Sequence, residues 1–264
     1  MSRIGIQMYT CRDYTKDEAG LRETLRKLAQ IGYRSVQISR PPFLNTEQLA
    51  ALLTEYELKA DSVFCPVTKL EESLDEISAE AKILGTNVVR TDSIPPQLRA
   101  TKAGYRQFAD LLTKQAGMLK ARGLRYIYHF HAFEFVSFGD VRGIDLLLNE
   151  TDPATVMFQP DVFWLTAAGV EPSQFLRKFK GRAFYLHVKD YAIRQLEGKI
   201  ENVPHCFAPV GQGNLNWPGI MRAAEEIGIE QFVVEQDQCT GDVFQAVRTS
   251  YENLVKLLYA QTIS

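Results

Sequence analysis

The run Tyr128-His129-Phe130-His131-Ala132-Phe133-Glu134-Phe135 holds two of the chain's four histidines and a carboxylate within eight aromatic-rich residues. If a strand continues to His131, the two-residue period puts His129 and His131 on one face and Tyr128 and Phe130 on the other. Two imidazoles pointing the same way suit the ligand shell of a metal or an acid/base pair, because imidazole binds cations when neutral and carries protons near pH 7. Buried histidines satisfied by hydrogen bonds are the competing reading of the same pattern.

The elements that must position such residues alternate along the chain. Residues 3–8, 35–39, 59–64, 87–91, 126–131, 156–159, 183–188 and 231–235 read as short strands. Amphipathic helices are expected near 17–31, from 46, at 69–84, 101–121, 144–149, 172–179, 218–227 and 241–260. Gly32 ends the first helix as a C-terminal cap, and Thr151-Asp152-Pro153 stops the fifth. A long polar loop is expected over 189–216. Eight strand-helix units without a linker or a composition break predict an α/β protein forming one closed (β/α)8 TIM barrel over residues 1–264. A doubly wound sheet would carry a glycine-rich phosphate turn after its first strand; Tyr9-Thr10-Cys11-Arg12-Asp13 stands there instead.

Barrel enzymes work at the C-terminal ends of their strands. The chain delivers Gln7 and Tyr9 from the first strand, Gln37 and Ser39 from the second, and Arg90 and Asp92 from the fourth. The fifth brings His129, His131 and, a little beyond, Glu134; the sixth brings Asp161 and Trp164. His187, Lys189 and Asp190 follow from the seventh, and Glu235 and Asp237 from the eighth. Asp161, His187 and Glu235, joined by a group from the fifth strand, form a mixed nitrogen/oxygen set. Such a set suits one divalent cation such as Mn, Mg, Co or Zn, with positions left for substrate oxygens. Read structurally, Asp161 is a helix N-cap, His187 a hydrogen-bonded core residue, and Glu235 an ion-pair partner of Lys189. Gln7, Tyr9, Trp164 and Asp190 are candidate substrate contacts, Trp164 through stacking on a sugar face. Gly211-Gln212-Gly213-Asn214 reads as turn chemistry rather than a phosphate loop, and His205 and Cys206 as part of a solvated loop or a lid.

Composition excludes other classes. With 45% hydrophobic and 23% charged residues the chain can bury a large core, and a net charge of −2 gives no electrostatic pull toward nucleic acid or an anionic membrane. An abasic-site endonuclease would need more than four histidines and a basic surface. The four cysteines are scattered without a CxxC pair, no run of about 18 apolar residues occurs, and the N-terminus lacks the apolar core of a signal peptide. A cytoplasmic protein is expected. Barrels of this kind often form homo-oligomers, and no stretch marks an interface.

Several segments together carry a family resemblance: Gly5-Ile6-Gln7-Met8-Tyr9, Tyr128-His129-Phe130-His131 through Glu134-Phe135, Asn149-Glu150-Thr151-Asp152-Pro153, and Asp161-Val162-Phe163-Trp164. Ala168-Gly169-Val170, His187-Val188-Lys189-Asp190, Val210-Gly211-Gln212-Gly213 and Val234-Glu235-Gln236-Asp237 complete the set. The chain resembles the sugar phosphate isomerase/epimerase family of xylose isomerase-like barrels, which includes inosose dehydratases and ketose 3-epimerases. The resemblance implies Asp161, His187 and Glu235 as metal ligands. Many relatives place a glutamate where this chain has His129, so either His129 or Glu134 is the fourth ligand. Where some relatives carry a glutamate on the second strand and a histidine on the third, this chain has Gln37 and Phe64 or Cys65.

The chemistry implied is proton abstraction beside a carbonyl of a small carbohydrate through an enediolate, giving isomerisation or epimerisation. Dehydration of a keto-polyol shares the same intermediate. Glu235, His129 or His131 is the candidate base, and Lys189 the group that stabilises developing oxygen charge. A non-catalytic sugar-binding barrel is the reading from another class.

Overall fold

The computed structural model describes residues 3–193 and 205–261. Strand β1 (Ile4–Gln7) leads through a 3-10 helix, Met8–Tyr14, into α1 (Glu18–Ile31), and β2 (Ser35–Gln37) into α2 (Thr46–Glu55). Next come β3 (Lys59–Ala60), β4 (Val63–Phe64), α3 (Leu74–Leu84), β5 (Val88–Asp92), α4 (Lys102–Lys120), β6 (Arg125–His129) and α5 (Gly143–Glu150). The order continues with β7 (Val156–Gln159), α6 (Val162–Ala167), α7 (Pro172–Leu176), β8 (Tyr185–Val188), β9 (Asp190–Ile193) and β10 (His205–Ala208). It closes with α8 (Trp217–Ile227), β11 (Gln231–Val234) and α9 (Val243–Gln261).

Local chemistry sets these boundaries. Asp17 caps α1 by accepting from Gly20 N at 2.8 Å, and Gly32, at φ 124°, ends it where a side chain would be strained. Leu21, Leu25, Leu28 and Ile31 on the inner face of α1 are buried. A capping box between Asn45 and Gln48 starts α2, and Asn216 caps α8. The strands are short and mostly buried on both faces, as parallel strands covered by helices must be.

Parallel pairing runs β3-β2-β1-β11-β8 in one sheet and β4-β5-β6-β7 in the other. The two sheets meet at two seams. At one, β3 and β4 are a single extended segment interrupted by Asp61 and Ser62, so the chain itself crosses from sheet to sheet. At the other, the isolated parallel bridges Phe158↔Ala183 and Asp161↔His187 join β7 to β8. Eight strand positions surround one axis, as the alternation of strand and helix predicts.

Phe108, Tyr128, Phe158 and Phe179 pack ring to ring between sheet and helices. Tyr128 faces this layer while His129 faces the axis, in agreement with the two-residue period. At the N-terminal end of the barrel, Gln231 donates to Ser35 Oγ at 2.7 Å beside the buried carboxylate of Asp61. A Cβ on Gly5 would lie 2.6 Å from Ser35 Oγ and 2.7 Å from Asp61 Oδ2, so only glycine fits there.

Three expectations change. The fifth strand ends at His129, and His131 instead precedes a 3-10 turn, Ala132–Phe135. The third helix begins at Leu74, after a series of turns, rather than at 69. The polar loop expected over 189–216 contains an antiparallel hairpin, β9 with β10, in which Cys206 pairs with Ala192 and Phe207 with Tyr191. Its anchor is apolar: the Phe207 ring stacks on Phe163 at 4.3 Å. Residues 194–204 of that loop lie outside the described residues.

Candidate metal centre

At the C-terminal ends of the strands a cavity of about 820 Å³ opens, lined by Gln7, Tyr9, His129, His131, Trp164, His187, Lys189 and Glu235 among others. His129 ends β6, Asp161 follows β7 by two residues, His187 lies in β8, and Glu235 follows β11 directly. One ligand atom from each of these four buried side chains falls within 4.8 Å of the other three. That is slightly wider than the roughly 4 Å that two ligands at ~2.1 Å span across one ion.

Each side chain is held by something besides the cluster. Asp161 caps α6: Oδ1 accepts from Phe163 N at 2.9 Å and Trp164 N at 3.1 Å, which leaves Oδ2 facing the axis. The helix-cap reading of this residue is met by Oδ1, and Oδ2 is left available to the cluster. His187 Nε2 lies 2.8 Å from Gln37 Oε1. An amide oxygen only accepts, so Nε2 carries a hydrogen, and in the neutral ring Nδ1 presents its lone pair. Nδ1 lies 3.0 Å from His129 Nε2.

Burial and neighbouring charges act differently on each member of the cluster. Burial, with His187 next to it, lowers the His129 pKa to about 4, so the ring is neutral and able to ligate. Burial opposes a charge on Asp161 and Glu235, yet Lys189 beside them holds both well below the usual carboxylate range. Burial also opposes a charge on His187, but Glu235 and Asp161 hold its pKa above the ordinary value. The ammonium of Lys189 sits 2.8 Å from Glu235 Oε2, 3.3 Å from Asp161 Oδ2 and 3.1 Å from Asp237 Oδ2.

Asp161 Oδ2 and Glu235 Oε2 lie within ion-pair reach of Lys189 and His187 but have no partner in hydrogen-bond geometry among the described residues. Two buried carboxylate oxygens left open and two imidazole nitrogens aimed at the same space are a donor set that a divalent ion completes. The fit favours a cation of borderline softness over one that takes oxygen alone.

The other candidate residues divide. His131 and Trp164 reach the cavity wall, and neither His131 Nδ1 nor Trp164 Nε1 has a hydrogen-bond partner among the described residues. Gln7 and Tyr9 also face the cavity, Tyr9 on its exposed rim. Glu134 does not join the cluster. Its carboxylate turns back to accept from the Tyr128 hydroxyl and from His131 N, and burial raises its pKa to about 7. Asp190 does not reach the cavity either. Its carboxylate accepts from Gly211 N at 2.8 Å, Gly213 N at 2.9 Å and Trp217 Nε1 at 2.8 Å. The Gly211-Gln212-Gly213 turn thus cradles an anion, and the anion is the chain's own. Cys206 lies in β10, away from the cavity lining, and of position 205 only the backbone is described.

Two side chains support the cluster without joining it. Gln37, at the end of β2, accepts from His187 Nε2 and so orients that ring. Gln159, two residues before Asp161, donates to Gln37 Oε1 at 3.4 Å. The alternation of β7 places Gln159 on the Asp161 face, which is the signal that finds it.

A family model described as xylose isomerase-like TIM barrel matches residues 25–239. An inosose dehydratase of Geobacillus kaustophilus is 23% identical over 93% of this chain and 88% of its own length. The crystal structure of a sugar phosphate isomerase/epimerase from Parabacteroides distasonis superposes with a TM-score of 0.80 at 21% identity, covering 96% of this chain and 94% of that one. An IolI protein solved with a bound zinc atom superposes with a TM-score of 0.73 at 15% identity, covering 97% of this chain and 98% of that one. With four ligand-type side chains gathered at the strand ends of the same architecture, the chain belongs to the xylose isomerase-like TIM barrel family.

Proposed function

We propose that this protein is a divalent-metal-dependent isomerase or epimerase of a sugar or sugar-like keto-polyol, acting through an enediolate. The observation that carries the proposal is the convergence of His129, Asp161, His187 and Glu235 within 4.8 Å at the floor of an 820 Å³ cavity. A bound ion would supply the positive charge that polarises a carbonyl and lowers the cost of forming an enediolate beside it.

The chain's own groups do the rest. His129, rather than Glu134, serves as the ligand from the fifth barrel position, since the Glu134 carboxylate is engaged elsewhere. With His129 and Glu235 holding the ion, His131, a residue of the cavity lining whose Nδ1 has no partner among the described residues, is left as the base. It takes the proton from carbon. Lys189, already charged and fixed by three carboxylates, faces the negative charge that then develops on oxygen. Trp164 offers a ring face to a polyol, and Gln7 offers an amide. Return of the proton to the neighbouring carbon is isomerisation, and return to the opposite face is epimerisation.

A second reading is supported by the inosose dehydratase relative, which this chain matches over most of its length. In it, the protonated His131 gives its proton to a departing β-hydroxyl, which leaves as water.

The test is solvent exchange. Ketoses and keto-inositols are incubated in D2O with Mn2+ and the purified protein, and product mass and stereochemistry are read. Metal-dependent uptake of deuterium at one carbon, abolished by Asp161→Asn, is expected; turnover indifferent to metal would sink the proposal. Elemental analysis of the purified protein separates an enzyme from a silent sugar-binding barrel, since the latter needs no stoichiometric metal.

A further inference from the structure

The cavity is electrically divided. Around the ends of β1, β2 and β5 its wall carries Arg12, Lys16, Arg40 and Arg90 against the one carboxylate of Asp92. Around β8 and β11 it carries Glu235 and Asp237 against Lys189, with Asp161 buried behind them. A neutral polyol spanning the site has no use for the cationic half, whereas a substrate with a negatively charged end does.

Arg90 is the group built for that contact. Its side chain is held in the wall, with the residue only 5% exposed, and its guanidinium lies 4.8 Å over the Phe64 ring. One edge of the fork is fixed by Asp92, Nη1 to Oδ2 at 2.9 Å, while Nε has no partner among the described residues. A buried donor of this kind is costly to leave unpaired, and a planar guanidinium fits carboxylate and phosphate oxygens well. Asp92 pairs in register with His129, so Arg90 stands on the strand next to the metal ligands. At the rim, Arg40 is steadied by donating to Leu44 O at 3.1 Å, and its nearest carboxylate, Glu76, is 3.9 Å away.

We propose that Arg90, with Arg40 at the rim, selects substrates in which the keto-polyol carries an anionic substituent, a carboxylate or a phosphate. The inference rests on reading the cavity as a keto-polyol site and narrows the substrate class for it. The anion is bound on the cationic wall, which leaves the carbonyl end to face the metal ligands and His131.

Binding is measured by calorimetry on the purified protein at low salt, with D-fructose, D-fructose 6-phosphate and 5-keto-D-gluconate as probes. At least one anionic ketose is expected to bind tenfold or more tightly than D-fructose. That advantage should shrink as salt rises and disappear in Arg90→Gln, with D-fructose unaffected. Arg40→Gln, in the exposed loop, should lower the same advantage about threefold and serves if the Arg90 variant fails to fold. Whichever anionic ketose is preferred tells phosphate from carboxylate. Equal affinity for the three ketoses, no binding of either anion, or an Arg90→Gln loss shared by D-fructose overturns the inference. Deuterium uptake is scored separately on the same samples. An anion advantage without uptake keeps the role of Arg90 and removes the enolisation reading; uptake by D-fructose without an anion advantage does the reverse.

Discussion

Asp161 shows how one residue answers two demands, capping α6 with Oδ1 and offering Oδ2 to the axis. Its neighbours in the cluster are more specialised. Gln37 orients His187 and is not part of the cavity lining, so Gln37→Met should weaken metal binding roughly 10- to 100-fold with little change in fold. Competition with a chelating dye measures this, and unchanged affinity would show that His187 is oriented by something else. His129 can be probed by exchange of ligand type. His129→Glu replaces an imidazole by a carboxylate, and the preference for Mg2+ or Mn2+ over Zn2+ should rise about tenfold, as hard oxygen donors favour hard cations. Asp161, His187 and Glu235 are legible in the sequence because a residue at the end of a barrel strand has few places to point. The choice between His129 and Glu134 is not legible, since it turns on how the four residues between them fold. The 3-10 turn sends the Glu134 carboxylate to Tyr128 and His131 N instead of the axis.

At the scale of elements, the alternation of strand and helix is written in the two hydrophobic periods and in caps such as Asp17 and Gly32. The β9–β10 hairpin is not. Its support comes from far along the chain: Asp190, at its first residue, is gripped by Gly211, Gly213 and Trp217, and no local pattern announces those donors. For the same reason Asp190 looks like a substrate contact from its position after β8, yet is a tether. Asp190→Ala should remove several charge-assisted hydrogen bonds at once and cost about 3 kcal/mol, or roughly 6–12 °C in Tm. Gly213→Ala should be harmful too, because the new Cβ would fall 2.3 Å from Asp190 Oδ1 and 2.5 Å from Tyr191 O. Thermal melts of both variants read the effect; a Tm within a degree of the parent would leave the tether without an energetic role.

For the whole molecule, the N-terminal end of the barrel carries a pH dependence away from the ligand cluster. At the N-terminal end, burial pushes the Asp61 pKa up to about 7, with the Ser35 hydroxyl and His187 offsetting only part of the effect. A carboxyl whose folded pKa lies above its unfolded one favours the fold while protonated. Its contribution is therefore full in acid and is lost as pH rises through about 7. Asp61→Asn keeps the shape and removes the titration. Since each tenfold difference in proton affinity between folded and unfolded chain is worth about 1.4 kcal/mol, the variant should be more stable than the parent by a few kcal/mol at pH 8, and the two should converge only below about pH 4, where the unfolded carboxyl is protonated as well. Denaturant midpoints across that range check the sign; a variant equally destabilised at every pH would refute it. Among the described residues no helix is long and apolar enough to cross a membrane.

The seam between β7 and β8 runs through the ligand cluster. His129 and Asp161 come from the end of the four-stranded sheet, while His187 and Glu235 come from the five-stranded one. An ion held by all four would rivet the halves together at the joint where two isolated bridges, Phe158↔Ala183 and Asp161↔His187, stand in place of a continuous ladder. Chelation would then loosen a hinge as well as empty a site. Amide exchange in Val156–Gln159 and Tyr185–Val188 should slow on loading with Mn2+ by more than exchange in β1 and β2, where the ladder is continuous. On this view the position of the cofactor is a mechanical choice, made where a ring of strands is easiest to part.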